Sequence, residues 1–348
     1  MKSKLEGLQA TRAIAASLVV VWHAVRTYER ELGAVPAWFG GLSIGDMGVK
    51  LFFCISGYII ASAAANCPRG WRAGASFLAR RLWRIVPLYW TATLLYVAQL
   101  AAQGRAPEAW QVVCSLLFIP YAEAGEPMHP VLGLGWTLNF EMAFYVLMAL
   151  AILLRRAWRI PAVVAAILAL WLLVPESDGG ISYALLADYK LTFFLGGIAA
   201  AQVGTRPTFR FGATLAAVAF LLAACEWVWM APGSRSAVYL YQWAACFAAI
   251  SWAASAKPAG SGWRWLVACG DGSYSTYLFH GFIVGASAMV IDLAGLHVSL
   301  LTYTVAMLVL CNASGVAIYR VIEQPLLRMG WRAALDRVAS LGRVGSVA

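Results

Sequence analysis

With 62% hydrophobic residues, 12% charged residues and 16 tryptophans in 348 positions, this chain cannot build a water-soluble fold around an ordinary core. A mean hydropathy of +0.73 places it among integral membrane proteins. The net charge of +10 asks for no nucleic acid as partner, because Lys and Arg collect in cytoplasmic loops and beside anionic lipid headgroups.

Taken in chain order, apolar runs of roughly 17 to 25 residues mark helical spans. They begin near Leu8, Met47, Ile85, Trp136, Ile160, Tyr183, Phe211, Val238, Ser273 and Leu300. The expected fold is therefore an all-α integral membrane protein of about ten transmembrane helices. The sixth run is the weakest, since Asp188 and Lys190 cut into it and leave a short apolar stretch from Leu191 to Val203. Between the third and fourth runs, Gln103 to Gly135 reads as an outer loop whose VVCSLLFIPY segment lies at the interface. With a cytoplasmic N-terminus, twenty of the 26 Lys and Arg fall on the inner side, so both termini are expected inside. We expect residues 1–330 to form one transmembrane domain and 331–348 a basic cytoplasmic tail. The MKSK start and its long apolar run read as a retained first span, because Arg12 interrupts the run and no clear small-x-small cleavage site follows. Seven cysteines without C-x-x-C spacing predict neither a disulfide framework nor a metal site.

Ionisable residues inside such spans usually mark function. Arg12 and His23 share the first run, and eleven residues of helix rise about 16 Å and turn about 1100°, which puts both on one face. A guanidinium at the membrane edge suits phosphates, and an imidazole deeper in the membrane suits a proton transfer at the ligand's far end. That shape fits an acyl-CoA, with Arg12 as a donor-binding residue and His23 as general base. A packing role for His23 is the alternative. Glu141 lies about 8 Å into the fourth span if the helix is regular. It is a second catalytic candidate, able to orient His23, bind acceptor hydroxyls or share a proton; its structural alternative is a pair with Tyr145 one turn away. Arg80, Arg81 and Arg84 precede Pro87 on the inner side, where they can grip CoA phosphates with Arg12 or merely obey topology. His280, with Ser273 and Tyr274 at the start of its span, is expected at the mouth of the donor's passage, with a scaffold role as the favoured alternative to chemistry. Lys50 is expected to snorkel to the outer interface and pair with Asp46, four residues earlier. Ser56 in ISGY lacks a G-x-S-x-G setting, so Ser56-Gly57 reads as a close helix contact rather than a nucleophile.

Seven segments occur in an order that resembles the acyltransferase 3 family: GLQATRAIAASLVVVWHA, GVKLFFCISGYII, RRLWRIVPLYW, GLGWTLNFEMAFYVL, FFLGG, GDGSYSTYLFH and VIEQPL. Lys50 departs from the family pattern, which more often has an acidic or neutral residue there. The wording WTLNFEMAFY is most similar to the exopolysaccharide-acetylating branch, without an appended esterase-like domain. The resemblance implies transfer of an acyl group, usually acetyl, from cytoplasmic acetyl-CoA to a hydroxyl of an envelope or exported polysaccharide, or of its lipid-linked sugar precursor. It also implies the bacterial cytoplasmic (inner) membrane, with membrane lipids as surroundings. A proton-coupled transporter or flippase of a glycan is the reading from another class, since it would use the same intramembrane His, Arg and Glu. A purely structural partner in an export complex would leave those three residues without purpose.

Overall fold

The computed structural model describes residues 2–40, 44–123, 126–127, 130–173, 189–203, 235–255 and 261–330. The seventh expected span, the start of the sixth and the 331–348 tail lie outside them. The described chain is almost wholly helical, apart from one antiparallel pairing of Ala122–Glu123 with Glu126–Pro127. Among the described residues, six helices are long and apolar enough to cross a membrane: Glu6–Glu31, Ile44–Ala65, Trp71–Ala102, Gly133–Ala151, Ser273–Leu293 and Leu300–Met329. Each coincides with an expected span. Shorter helices cover Arg156–Leu173, Thr192–Val203 and Arg235–Ser255 at three further expected positions. Thr192–Val203 has only 12 residues, which rise about 18 Å, well short of a bilayer core, and the 3-10 turn Tyr189–Leu191 precedes it.

The chain divides into two compact units, Met1–Asn66 with Val164–Val316, and Cys67–Val163 with Ala317–Ala348. In the first unit, the Lys2–Glu31 helix packs against Ile44–Ala65, Arg235–Ser255, Ser261–Asp271 and Ser273–Leu293. It is thus the axis of that unit, and its small buried residues Ala10, Ala13, Ala16 and Ala24 let neighbours approach. Ile44–Ala65 and Thr192–Val203 meet even more closely. A Cβ added at Gly57 would strike the Phe194 carbonyl, and one added at Gly197 would strike the Cys54 carbonyl. That reciprocity explains why glycine stands at both positions, and it fits the close-contact reading of Ser56-Gly57. Near Glu31, Val20, Ala24, Val284, Ala288, Tyr303, Met307 and Cys311 form one apolar cluster. Its buried tyrosine is satisfied, since Tyr303 Oη donates to the Val284 carbonyl at 2.9 Å.

In the second unit, Trp71–Ala102 packs against Trp136–Ala151 and against the short helix Ala109–Leu116. The latter lies in the expected interfacial segment, and a capping box between Glu108 and Gln111 starts it. Trp90 Nε1 donates to the Leu116 carbonyl at 2.8 Å, and Tyr89 stacks on Phe118 with centroids 4.9 Å apart. Arg159, one of the twenty basic residues expected on the inner side, is 2% exposed and donates from Nη1 to the Cys67 carbonyl at 2.8 Å. It therefore ties a chain crossing in place as well as carrying charge. The six described cysteines are free thiols.

Lys50 requires a correction. It pairs with Asp46 as expected, but it does not snorkel. The side chain is 1% exposed and donates from Nζ to Gln242 Oε1 at 2.6 Å. The rings of Tyr189, Phe193 and Tyr239 surround the ammonium at 5.3, 5.5 and 5.6 Å. Buried charge survives when it is paired and hydrogen-bonded, and these partners supply both conditions.

Candidate functional site

The first unit holds the imidazole pair. Lys2–Glu31 is one uninterrupted helix, so Arg12 and His23 keep the helical spacing that puts them on a common face. His23 is half-buried. Its ring lies against that of His280, with centroids 4.8 Å apart and planes tilted by 54°. His280 is fully buried, and its Nδ1 sits 2.8 Å from the Tyr277 carbonyl oxygen. A carbonyl oxygen only accepts, so Nδ1 carries the hydrogen and the neutral ring keeps its lone pair on Nε2. That Nε2 is buried without a hydrogen-bond partner. Tyr277 and Phe52 continue the wall beyond His280, in an edge contact 5.9 Å between centroids.

Ser273 and Thr276 precede His280 on the same helix at positions that share its face. Both hydroxyls are buried without a partner, as is His280 Nε2. Folded interiors seldom leave three polar atoms along one stripe unpaired, because each costs about 1–3 kcal/mol. Tyr274, also expected here, is buried as well. Just before this stripe, Asp271 Oδ1 accepts from Gln9 Nε2 at 2.5 Å. Gln9 Oε1 in turn accepts from Arg12 Nη1 at 3.3 Å. Arg12 is therefore anchored on its own helix through Gln9, which links it to the approach to Ser273. Neither Gln9 nor Asp271 stood out in the sequence, since a Gln and an Asp near helix ends carry no periodic or motif signal.

The second unit holds the carboxylate. Glu141 accepts a hydrogen bond from Tyr145 Oη within the same helix, the partner expected one turn away. Arg81 lies close enough to Glu141 and Tyr145, and Arg84 to Tyr145, for electrostatic interaction. Arg81 also lies over the Phe77 ring at 5.5 Å. Arg80 is exposed and donates to Ser76 Oγ at 2.7 Å on its own helix. Arg81 and Arg84, three residues apart on one face, thus neighbour the Glu141–Tyr145 pair, while Arg80 bonds along its own helix. A carboxylate tied to a tyrosine in an apolar span, with arginines nearby, has the make-up of an intramembrane polar site.

The acyltransferase domain family matches residues 5–320 of the chain. The exopolysaccharide production protein ExoZ of Rhizobium meliloti (strain 1021) is 32% identical over 303 residues, covering 83% of this chain and 91% of that protein. No solved structure matches the chain. The matched stretch contains His23, His280, Arg12, Arg81, Arg84 and Glu141, and it holds all or most of each of the six described helices fit to cross a membrane. The chain is a membrane acyltransferase and belongs to the acyltransferase 3 family.

Proposed function

We propose that this protein moves an acetyl or other short acyl group from acyl-CoA to a hydroxyl of an exopolysaccharide or its lipid-linked precursor, with His23 as general base. The observation that carries the proposal is an imidazole in the interior of the first span, half-buried and set against a second imidazole on a stripe of unsatisfied polar atoms. The similarity to ExoZ, an exopolysaccharide production protein, supports the class of acceptor.

A thioester is already activated, so the protein's task is to hold it against the hydroxyl and to receive the hydroxyl's proton. His23 takes that proton as the oxygen attacks the thioester carbonyl carbon. The tetrahedral intermediate collapses, the carbon–sulfur bond breaks, and the departing thiolate receives the proton from His23. General-base catalysis of this kind contributes about 10²–10⁴-fold, and positioning supplies much of the remainder.

We assign Arg12 to the donor's phosphates, where a charge-assisted bond can replace part of its tie to Gln9. Ser273 is assigned to the donor's polar arm, whose amide and hydroxyl groups would satisfy a buried hydroxyl the protein leaves unpaired, with Tyr274 beside it by position and His280 lining the passage without bonding the donor. In the second unit, Arg81 and Arg84 are assigned to anionic groups of the donor, and Arg80 to the same class by sequence alone. Glu141, tied to Tyr145, is assigned to the acceptor's hydroxyls. We place the protein in the bacterial cytoplasmic membrane with about ten spans and both termini inside, on the balance of Lys and Arg.

The test is transfer from labelled acetyl-CoA in inside-out vesicles that hold host glycan. Label in the glycan and stoichiometric release of free CoA support the proposal. Export of glycan without CoA release would replace it with the transporter reading.

A further inference from the structure

We propose that His280 is a positioning residue: its Nε2 accepts a hydrogen bond from His23 in the reactive arrangement and so fixes which nitrogen of His23 is the base. The inference rests on the reading of His23 as general base. Three observations lead to it. First, the bond to the Tyr277 carbonyl commits Nδ1 of His280 to donating, so its Nε2 can only accept in the neutral ring. Second, His280 is 0% exposed, and Nε2 has no hydrogen-bond partner, although an unpaired buried acceptor is expensive. Third, the ring in contact with it belongs to His23, at 4.8 Å between centroids. A rotation of the His23 ring about its own side-chain bonds brings one of its N–H groups to that lone pair.

The consequence is chemical. A free neutral imidazole divides between two tautomers, and only one of them presents a lone pair to a given hydroxyl. Donation from one nitrogen of His23 to His280 leaves the other nitrogen as acceptor. When His23 takes the hydroxyl's proton, the imidazolium keeps its bond to His280 in charge-assisted form, which is shorter and stronger than the neutral one. After the carbon–sulfur bond breaks, the same nitrogen returns the proton to the thiolate. His280 neither gains nor loses a proton in the cycle. It plays toward His23 the orienting role that a carboxylate plays in a Ser-His-Asp triad, without bringing a buried negative charge.

Two substitutions separate this role from packing. An Asn at position 280 places its amide nitrogen near the old Nδ1 and keeps the bond to the Tyr277 carbonyl, but it has nothing at Nε2. A Gln places an amide oxygen near Nε2 and can accept from His23. In the vesicle assay with acetyl-CoA, His280→Asn is expected to lower kcat by about 10–100-fold, the range seen when the hydrogen-bond partner that orients a metal-bound imidazole is removed. KM for acetyl-CoA should stay near wild type, and His280→Gln should recover a substantial part of kcat. A His280→Asn enzyme as active as wild type overturns the proposal, as does equal inactivity of both variants when both elute as folded protein.

A second readout needs no turnover. The chain has four histidines, so 15N-histidine labelling with single variants assigns each ring. In detergent-solubilised wild type, His23 should show one neutral tautomer, and His280→Asn should convert it to a mixture. An unchanged mixture in both proteins overturns the positioning role. If wild type transfers no acyl group but His23 is locked in one tautomer that His280→Asn releases, the pairing stands and the acyl-transfer reading fails.

Discussion

Replacing Lys50 with Met keeps the volume of the stem and removes the ammonium, and the structure assigns that change a measurable loss of stability. Lys50 is 1% exposed and Gln242 is 2% exposed. Deleting the donor of their 2.6 Å bond leaves a buried amide oxygen without a partner, a cost of about 1–3 kcal/mol. The ion pair with Asp46 adds little, about 1 kcal/mol or less, because that carboxylate is 31% exposed and water can replace the contact. Removing a charge from the interior also relieves its desolvation cost, which keeps the net loss within that range. The double variant Lys50→Met with Gln242→Leu removes both polar ends and should recover most of the loss, since an apolar pair of similar shape is nearly neutral. Thermal unfolding of the purified protein in one detergent, followed by tryptophan fluorescence, reads the order: wild type, then the double variant, then Lys50→Met. A lysine that snorkels to water would predict no change on Lys50→Met. Equal unfolding temperatures for wild type and the single variant would therefore refute the buried arrangement and restore the interfacial one.

Arg12→Ala should weaken CoA binding by about 1.5–3 kcal/mol, or roughly 10–150-fold, as expected of a charge-assisted contact. Equilibrium binding of CoA checks this, and wild-type affinity in the variant would refute the phosphate assignment. Glu141→Gln should fold, bind CoA and lose turnover, whereas Tyr145→Phe should retain part of it, because the hydroxyl only supports the carboxylate. Wild-type turnover in Glu141→Gln would return that residue to the scaffold.

Local relations were legible in the sequence, and distant ones were not. Glu141 with Tyr145, and Lys50 with Asp46, lie one helical turn apart, so spacing alone names the partner. The same holds for the placing of Arg12 and His23 on one helix. By contrast, Gln9 meets Asp271 across 262 positions and Lys50 meets Gln242 across 192. Those pairs are set by which helices pack together, and periodicity does not specify packing partners. The error over Lys50 has this origin. A helical pattern shows which face a lysine occupies, but only the tertiary fold shows that Gln242 and three aromatic rings cover that face. The pairing of His23 with His280 was hidden for the same reason, since each imidazole was recognisable alone and nothing in the sequence joined them. The hydropathy pattern did better for element positions, because an apolar run of adequate length must become a helix to satisfy its backbone in lipid.

The central claim is that His23 performs the proton transfer and does not merely fill space. The direct measurement compares wild type and His23→Ala for two quantities in the same vesicle preparation: CoA binding, and label passed from acetyl-CoA to glycan. With His23 as general base, His23→Ala should keep CoA affinity within about twofold of wild type and lose transfer by at least about 10²-fold, the lower end of what a general base contributes. Transfer by His23→Ala at a rate close to that of wild type, with acceptor present and the protein folded, would contradict it.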